Sequence, residues 1–488
     1  MAILETYKVT ADSVPATISI VSVSLQLVPQ YEIIMPELDK GTEALLNHLS
    51  EELSPKIPLM GSMQKETFLK EAMEALTRRL PGQKESEIKI LAGMLLHRML
   101  GLGFLEILMK DNWLEEISIN GSKQPISVYH KKYGWCKTTK TFGSEEEIYN
   151  IASQIGRKAG REINSLQPIM DAHLETGDRV AATLFPVSQE NTITIRRFAR
   201  NPWTPVHFIE AKTLSPEIAS LLWQAMQYEL NILIAGGTAS GKTSMLNSIC
   251  SFLPASQRII SIEDTREIRL PNELVWNWIP LSSRNRNPEG MGEVTMLDLM
   301  VASLRMRPDR IIVGEIRRKR QAESLFEAMH TGHSVYATMH ADTAEQVRRR
   351  LTEPPMAIPS AELEALHLVV VQYRDRRKGV RRVLEVAEVL GNEGKIELNH
   401  LYRWRARGDS FEKVNESIRI QEELNLHTGM TPKEIEEDRR QKQVILQWMA
   451  ANNVKEIDDV GRLMRIYYKD PLSIYQAAEK KKKIKDIL

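Results

Sequence analysis

The chain predicts an α/β P-loop domain preceded by an N-terminal helical region and an α+β domain, with a helical C-terminal extension. Three observations carry this prediction. Gly236-Gly237-Thr238-Ala239-Ser240-Gly241-Lys242-Thr243 spells a complete P-loop directly after the apolar run Asn231-Ile232-Leu233-Ile234-Ala235. Strand, glycine loop and helix in that order give the motif its structural context. Strand-like and helix-like segments then alternate to about Leu390, the pattern of a parallel sheet. Upstream, Asn201-Pro202-Trp203-Thr204-Pro205 is a stiff linker, because two prolines bar regular pairing.

The elements follow in order. Ile18, Val21, Val23, Leu25 and Leu27 punctuate serines and Gln26, which predicts an exposed-edge strand before Pro29. From Leu38 to Leu108 the period turns helical, with Leu45, Leu46, Leu49 and Leu53 at three-to-four spacing and a later apolar cluster from Leu91 to Leu105. Pro55, Pro58 and Pro81-Gly82 separate these helices, so residues 1–110 read as a strand and a small helical bundle. Glu115 to Phe198 mixes short β-rich runs, such as Ile117-Ser118-Ile119 and Thr192 to Ile195, with one helix near Glu145 to Gly160. Residues 111–200 are therefore expected to form a compact α+β domain. The linker is assigned to 201–212 and the P-loop domain to 213–391. Residues 392–488 are charged and helical in period, with Leu446, Trp448 and Met449 among the apolar positions. The basic run Lys480 to Lys483 reads as a solvated helix end.

Composition bounds the function. At 488 residues the chain exceeds one ordinary core, so two to four domains are expected. A net charge of +1 gives no global attraction to nucleic acid or membrane. Cys136 and Cys250 are the only cysteines, which excludes a disulfide framework and a four-cysteine zinc site and fits a reducing cytosol. No apolar stretch approaches the roughly 18 residues of a membrane span, and the N-terminus lacks a signal-peptide pattern. The expectation is a cytoplasmic enzyme that touches a membrane only peripherally.

Chemistry concentrates at strand ends. The backbone N–H groups of Gly236, Gly237, Thr238, Ala239, Ser240 and Gly241, continuing into Lys242, Thr243 and Ser244, are expected to close around phosphates at the positive end of the following helix. Lys242 would reach the β- and γ-phosphates, and Thr243 would offer its hydroxyl to Mg²⁺. Three further apolar strands end in Glu263-Asp264, in Gly314-Glu315 and in His340. In a parallel sheet the carboxyl ends share the ligand-binding edge, so Lys242, Glu263, Glu315 and His340 should converge on one nucleoside triphosphate. Glu315 is expected to serve water or Mg²⁺, Glu263 a catalytic or metal role, and His340 a γ-phosphate contact. His333 precedes its strand and reads either as a site residue or as a cap. Arg179 and Arg196-Arg197 precede the linker. They are arginine fingers toward a neighbouring subunit's nucleotide in a ring, or surface ion-pair residues.

Taken together these segments resemble the secretion ATPase superfamily of type II and type IV secretion and type IV pili. Ile262-Glu263-Asp264-Thr265-Arg266-Glu267 looks like its Asp box, Asp309 through Arg317 like its glutamate-bearing Walker B segment, and Thr331 through Thr343 like its His box. Pro288-Glu289-Gly290 through Pro308, Arg317 through Glu323, Tyr31-Glu32 to Leu53, Val128-Tyr129-His130 and Leu401 to Arg405 are most similar to the archaeal branch, the archaellum (archaeal flagellum) motor ATPase in particular. The resemblance implies an α/β RecA-like P-loop ATPase domain using ATP and Mg²⁺. It implies a homohexamer at the inner face of the cell membrane, under a polytopic membrane platform protein and beside an accessory nucleotide-binding motor protein, with no nucleic-acid partner. It also implies that the arginines matching Arg179 and Arg196 act across the subunit interface. The chain departs from the family's Asp-Gly-Ser-Arg with Thr176-Gly177-Asp178-Arg179, and the missing four-cysteine module favours the archaeal branch. The alternatives are an archaeal type IV pilus or type II secretion-like ATPase, a nucleic-acid translocase, and a nucleotide-gated scaffold. An aromatic-basic stacking pattern, which a translocase would need, is missing.

Overall fold

The computed structural model describes residues 2–24, 26–55, 64–174, 176–197, 201–286, 290–375, 377–392, 395–484 and 487. Leu25, Pro58, Phe198, Pro288 and Glu289, which enter the readings above, lie outside the described residues. The chain divides into two compact units, Met1–Arg200 and Asn201–Leu488.

The first unit is built on a nine-stranded sheet. Its strands are β1 (Ala2–Ala11), β2 (Val14–Ser22), β3 (Gln30–Ile34), β4 (Leu114–Asn120), β5 (Ser127–His130), β6 (Gly134–Thr138), β7 (Ile169–His173), β8 (Arg179–Thr183) and β9 (Thr192–Arg196). Their order across the sheet is β1-β2-β3-β6-β5-β4-β9-β8-β7. All neighbours are antiparallel except β3 and β6. The alternation around Ile18 and Val21 thus belongs to β2, and β1 precedes it although most of its side chains face solvent. An exposed edge strand carries little apolar pattern to read. Helices Lys40–Leu53 and Glu85–Met99 place Leu46, Leu49 and Leu95 in the same buried cluster as Ile18, Tyr31, Ile117 and Ile195. The helices and strands of this unit therefore share one core. Each such side chain contributes about 1.5–3 kcal/mol on full burial.

The second unit holds another nine-stranded sheet, in the order β12-β11-β13-β14-β10-β15-β16-β17-β18. These are β10 (Ile232–Gly236), β11 (Ile259–Glu263), β12 (Trp278–Ser282), β13 (Arg310–Ile316), β14 (Ser334–Met339), β15 (Leu368–Asp375), β16 (Val380–Asn392), β17 (Lys395–Arg405) and β18 (Ser410–Lys413). From β12 to β15 every pairing is parallel, and from β15 to β18 every pairing is antiparallel. Period-2 geometry sends alternate residues to opposite faces. Ile232 and Ile234 join one core with the helix Pro216–Gln227, while Leu233 and Ala235 join another with the helix Lys319–His330. Burial on both faces explains why these strands read as continuous apolar runs.

Helical period was expected from Asn392 onward. Instead β17 and β18 extend the sheet, and among the described residues four helices follow, the first being Arg419–Thr428. In β17 Ile396, Leu401 and Tyr402 are buried while Lys395, Glu397, Arg403 and Arg405 face outward, so its charges mask the strand. In the closing helices Trp448 and Met449 are buried, and Trp223 stacks on Phe252 at 5.2 Å between ring centroids with Tyr467 edge-on to it. Among the described residues no helix is long and apolar enough to cross a membrane.

Candidate functional site

β10 lies between β14 and β15, and its last residue opens the P-loop. Gly236 has φ +154°, and a Cβ there would stand 2.4 Å from the Gln372 carbonyl oxygen. Glycine is required for that close approach. Ala239 and Gly241 adopt φ of +59° and +95° before helix Lys242–Cys250 begins. The loop therefore delivers its N–H groups to a helix N-terminus, the geometry that binds phosphate. Lys242 Nζ donates to the Gly236 and Gly237 carbonyl oxygens at 2.9 and 3.0 Å. Burial pulls its ammonium below the ordinary lysine value, opposed by the charges of Glu315, Asp342 and Glu267. Thr243 is half-buried and Ser244 exposed at the start of the helix.

His340, at the end of β14, meets the loop directly: its Nε2 is 2.8 Å from Thr238 Oγ1. Asp342 is close behind, with Oδ1 at 3.0 Å from the place a Gly237 Cβ would occupy. Arg350 donates to the His340 carbonyl oxygen. His333 does not share this edge. Its Nδ1 lies 3.0 Å from Thr331 Oγ1 and 3.2 Å from the Ala328 carbonyl oxygen, closing the C-terminal end of helix Lys319–His330. It is a cap.

The two strand-end glutamates differ. The register of β13 against β14 breaks between Val313 and Ile316, and such a bulge re-aims side chains. Glu315 sits in that break, partly exposed. Its Oε2 accepts from Arg317 Nε and Nη2 at 2.9 and 2.6 Å, and Arg317 Nη1 reaches Asp264 Oδ2 at 2.9 Å. Glu263 is only 2% exposed. Its Oε1 accepts from the backbone N–H groups of Glu267 and Ile268 at 2.9 and 3.0 Å, and its Oε2 is buried with no partner among the described residues. Burial pushes this carboxyl up to about 7 against the two N–H donors. Glu263 is thus turned into the 264–268 turn rather than toward the open edge.

The donor set fits Mg²⁺. Among the described residues no group of three or more His, Cys, Asp or Glu is placed to hold a metal. Mg²⁺ needs no such cage, since it keeps waters and phosphate oxygens and takes one or two protein oxygens. Thr243 and Glu315 carry a hydroxyl and a carboxylate, the oxygen types such a site would use.

Arg179 and Arg196 belong to the first unit, directly opposite each other on β8 and β9. Both are exposed, and Arg179 Nε donates to Asp171 Oδ1 at 2.9 Å while its Nη2 contacts Asp171 Oδ2. Arg197 is 7% exposed and donates to the carbonyl oxygens of Leu108, Asp111 and Leu114. It is a structural arginine. Three residues at the second sheet's edge had been missed. Asp342 lies inside the Thr331–Thr343 segment, Arg381 in the basic stretch Arg374–Arg382, and Gln372 in the apolar strand β15, and none of these local patterns marks a site residue.

The family model for type II/IV secretion system proteins matches residues 160–416, more than half of the chain. An uncharacterized protein of Methanocaldococcus jannaschii is 33% identical over 77% of this chain and 69% of its own length. A putative conjugal transfer protein of Mycobacterium tuberculosis is 30% identical over 61% of this chain and 87% of its own. The structure of the Yersinia pseudotuberculosis ATPase DotB aligns at 22% identity over 74% of this chain and 92% of that one, with a TM-score of 0.43. By the extent of the family match, the chain belongs to the type II/IV secretion system protein family.

Proposed function

We propose that this chain is a ring-forming ATP hydrolase that assembles, and rotates, an archaeal surface filament, the archaellum. The observation that carries hydrolysis is the convergence of Lys242, the Thr238–His340 pair and the bulged Glu315 at one sheet edge. In this reading the loop N–H groups and Lys242 bind the β- and γ-phosphates of ATP. Thr243 and Glu315 hold Mg²⁺, which when bound neutralises charge on the phosphates. Glu315 orients the attacking water, and His340 links the γ-phosphate to the loop through Thr238. Glu263 supports this arrangement from below by fixing the turn that carries Asp264. The RecA-like ring is a homohexamer, and Arg179 and Arg196 reach a neighbouring subunit's ATP as fingers.

The archaellum assignment is supported by the similarity of the N-terminal and 401–405 segments to the archaeal motor branch, together with an archaeal relative. It places the chain at the inner face of the membrane, against a polytopic platform protein and an accessory nucleotide-binding motor protein. A second reading, an archaeal pilus or secretion ATPase, is favoured by the conjugal transfer relative.

One set of phosphate-release assays tests these readings. Lys242→Ala and Arg179→Ala should each be inactive, and their mixture should recover activity, because some interfaces then pair an intact arginine with an intact loop. An arginine finger is worth about 10³-fold or more, so a minority of restored interfaces is detectable. Mixed rings no more active than either parent refute the fingers. Wild-type turnover in Lys242→Ala refutes hydrolysis at this loop. Stimulation by the membrane platform protein encoded beside archaellin genes supports the archaellum reading, whereas stimulation by duplex DNA moves it to translocation.

A further inference from the structure

Gln372 is 1% exposed, and neither its Oε1 nor its Nε2 has a hydrogen-bond partner among the described residues. Buried carboxamides are almost always paired, and both atoms unpaired is an unfavourable arrangement. Its place makes this meaningful. Gln372 is the ladder partner of Gly236 on β15, and its Cβ is 3.1 Å from where a Gly236 Cβ would stand, beside Ser240 Oγ. The same Gly236 offers its carbonyl oxygen to Lys242 Nζ. Arg381, on the next strand, supports the loop from its other side by donating from Nε to the Ala239 carbonyl oxygen at 3.1 Å.

We infer that Gln372 is a positioning residue for the nucleotide-bound P-loop, taking over loop hydrogen bonds that Lys242 releases. The inference rests on the proposed phosphate binding by Lys242. When Nζ swings to the phosphates, Gly236 loses its donor in a buried setting. Gln372 stands opposite Gly236 in the ladder, and its unpaired Nε2 compensates that loss. In the free loop the carboxamide is idle; in the occupied loop it is bonded. Its free energy is thus differential between the two states, which is what shifts an equilibrium toward the ligand.

The test separates stability from binding. Gln372→Leu and Gln372→Met keep the volume and remove both idle polar atoms. Without nucleotide, each variant should melt at or above the wild-type temperature. Each should also bind ADP and ATP about tenfold more weakly and show a smaller nucleotide-induced rise in melting temperature. Gln372→Asn, which keeps a carboxamide, should recover part of the affinity. Unchanged affinity in both apolar variants overturns the inference. Lower melting temperatures in both, without nucleotide, also overturn it, because the carboxamide would then be holding the free loop. Wild-type protein that fails to bind ADP or ATP refutes the underlying phosphate-binding reading, and is told apart from these results by that control.

Discussion

The ends of β11 and β13 carry the same kind of residue and treat it in opposite ways. Each strand is largely apolar, β11 ends in Glu263, β13 carries Glu315 as its last residue but one, and the two strands are parallel neighbours. At β11 the ladder stays regular and the chain turns at once. Glu263 then folds under the turn, gives Oε1 to two backbone N–H groups and raises its pKa by burial. At β13 the ladder breaks by a bulge, and Glu315 emerges in a charged network with Arg317 and Asp264. A glutamate at a strand end is thus made a buried turn cap or a partly exposed charge by whether the backbone stays in register.

The largest expected effect follows from that contrast. Glu315→Gln removes the exposed charge and should lower steady-state turnover by about 10²–10³-fold while ATP binding is kept. Glu263→Gln, which retains an acceptor for both N–H groups, should lower it less than about tenfold. Measured turnover with the two variants reversed in rank would break the comparison and make Glu263 the reacting carboxylate.

A smaller effect sharpens it. Glu315 depends on Arg317, which holds both its Oε2 and Asp264 Oδ2. Arg317→Ala frees the carboxylate, and small misplacements of reacting groups lower rates by about 10–100-fold. Turnover should fall within that range, with ADP affinity within a factor of about three of wild type because the hydrogen bonds of the Arg317 guanidinium go to Glu315 and Asp264 and not to the loop. Equal losses of turnover and affinity would show that Arg317 shapes the phosphate site itself.

How much of this was legible in the sequence follows from the same physics. Both-face burial made β10, β11, β13 and β14 readable as apolar runs, and parallel order then put Lys242, Glu263, Glu315 and His340 on one edge. The register break beside Glu315 was not legible, since a bulge depends on the neighbouring strand and not on local composition. β17 was hidden by its charged outward face, and β1 by the exposure of most of its side chains. Gln372 could not be singled out because its significance lies in missing partners, a property of the folded neighbourhood and not of local sequence.

The smallest effect concerns stability and pH. Burial pushes the Glu263 carboxyl up to about 7 in the folded chain from an ordinary value of 4.5. Between those values the folded state keeps a proton that the unfolded state has lost. Stability from this group is therefore fully present below pH 4.5, falls as pH rises through the window, and is level above about 7. A shift of this size is worth on the order of 3 kcal/mol. A carboxamide in place of this carboxyl does not titrate, so the melting temperature of Glu263→Gln relative to wild type should climb by a few degrees between about pH 5 and 7.5 and then flatten. Circular-dichroism melts of both proteins at about pH 5, 6, 7 and 8 give the comparison directly. A constant offset across that range would mean that Glu263 is already ionised at its acidic end. It would then be a charged residue like Glu315, and the distinction between the two strand ends would fail.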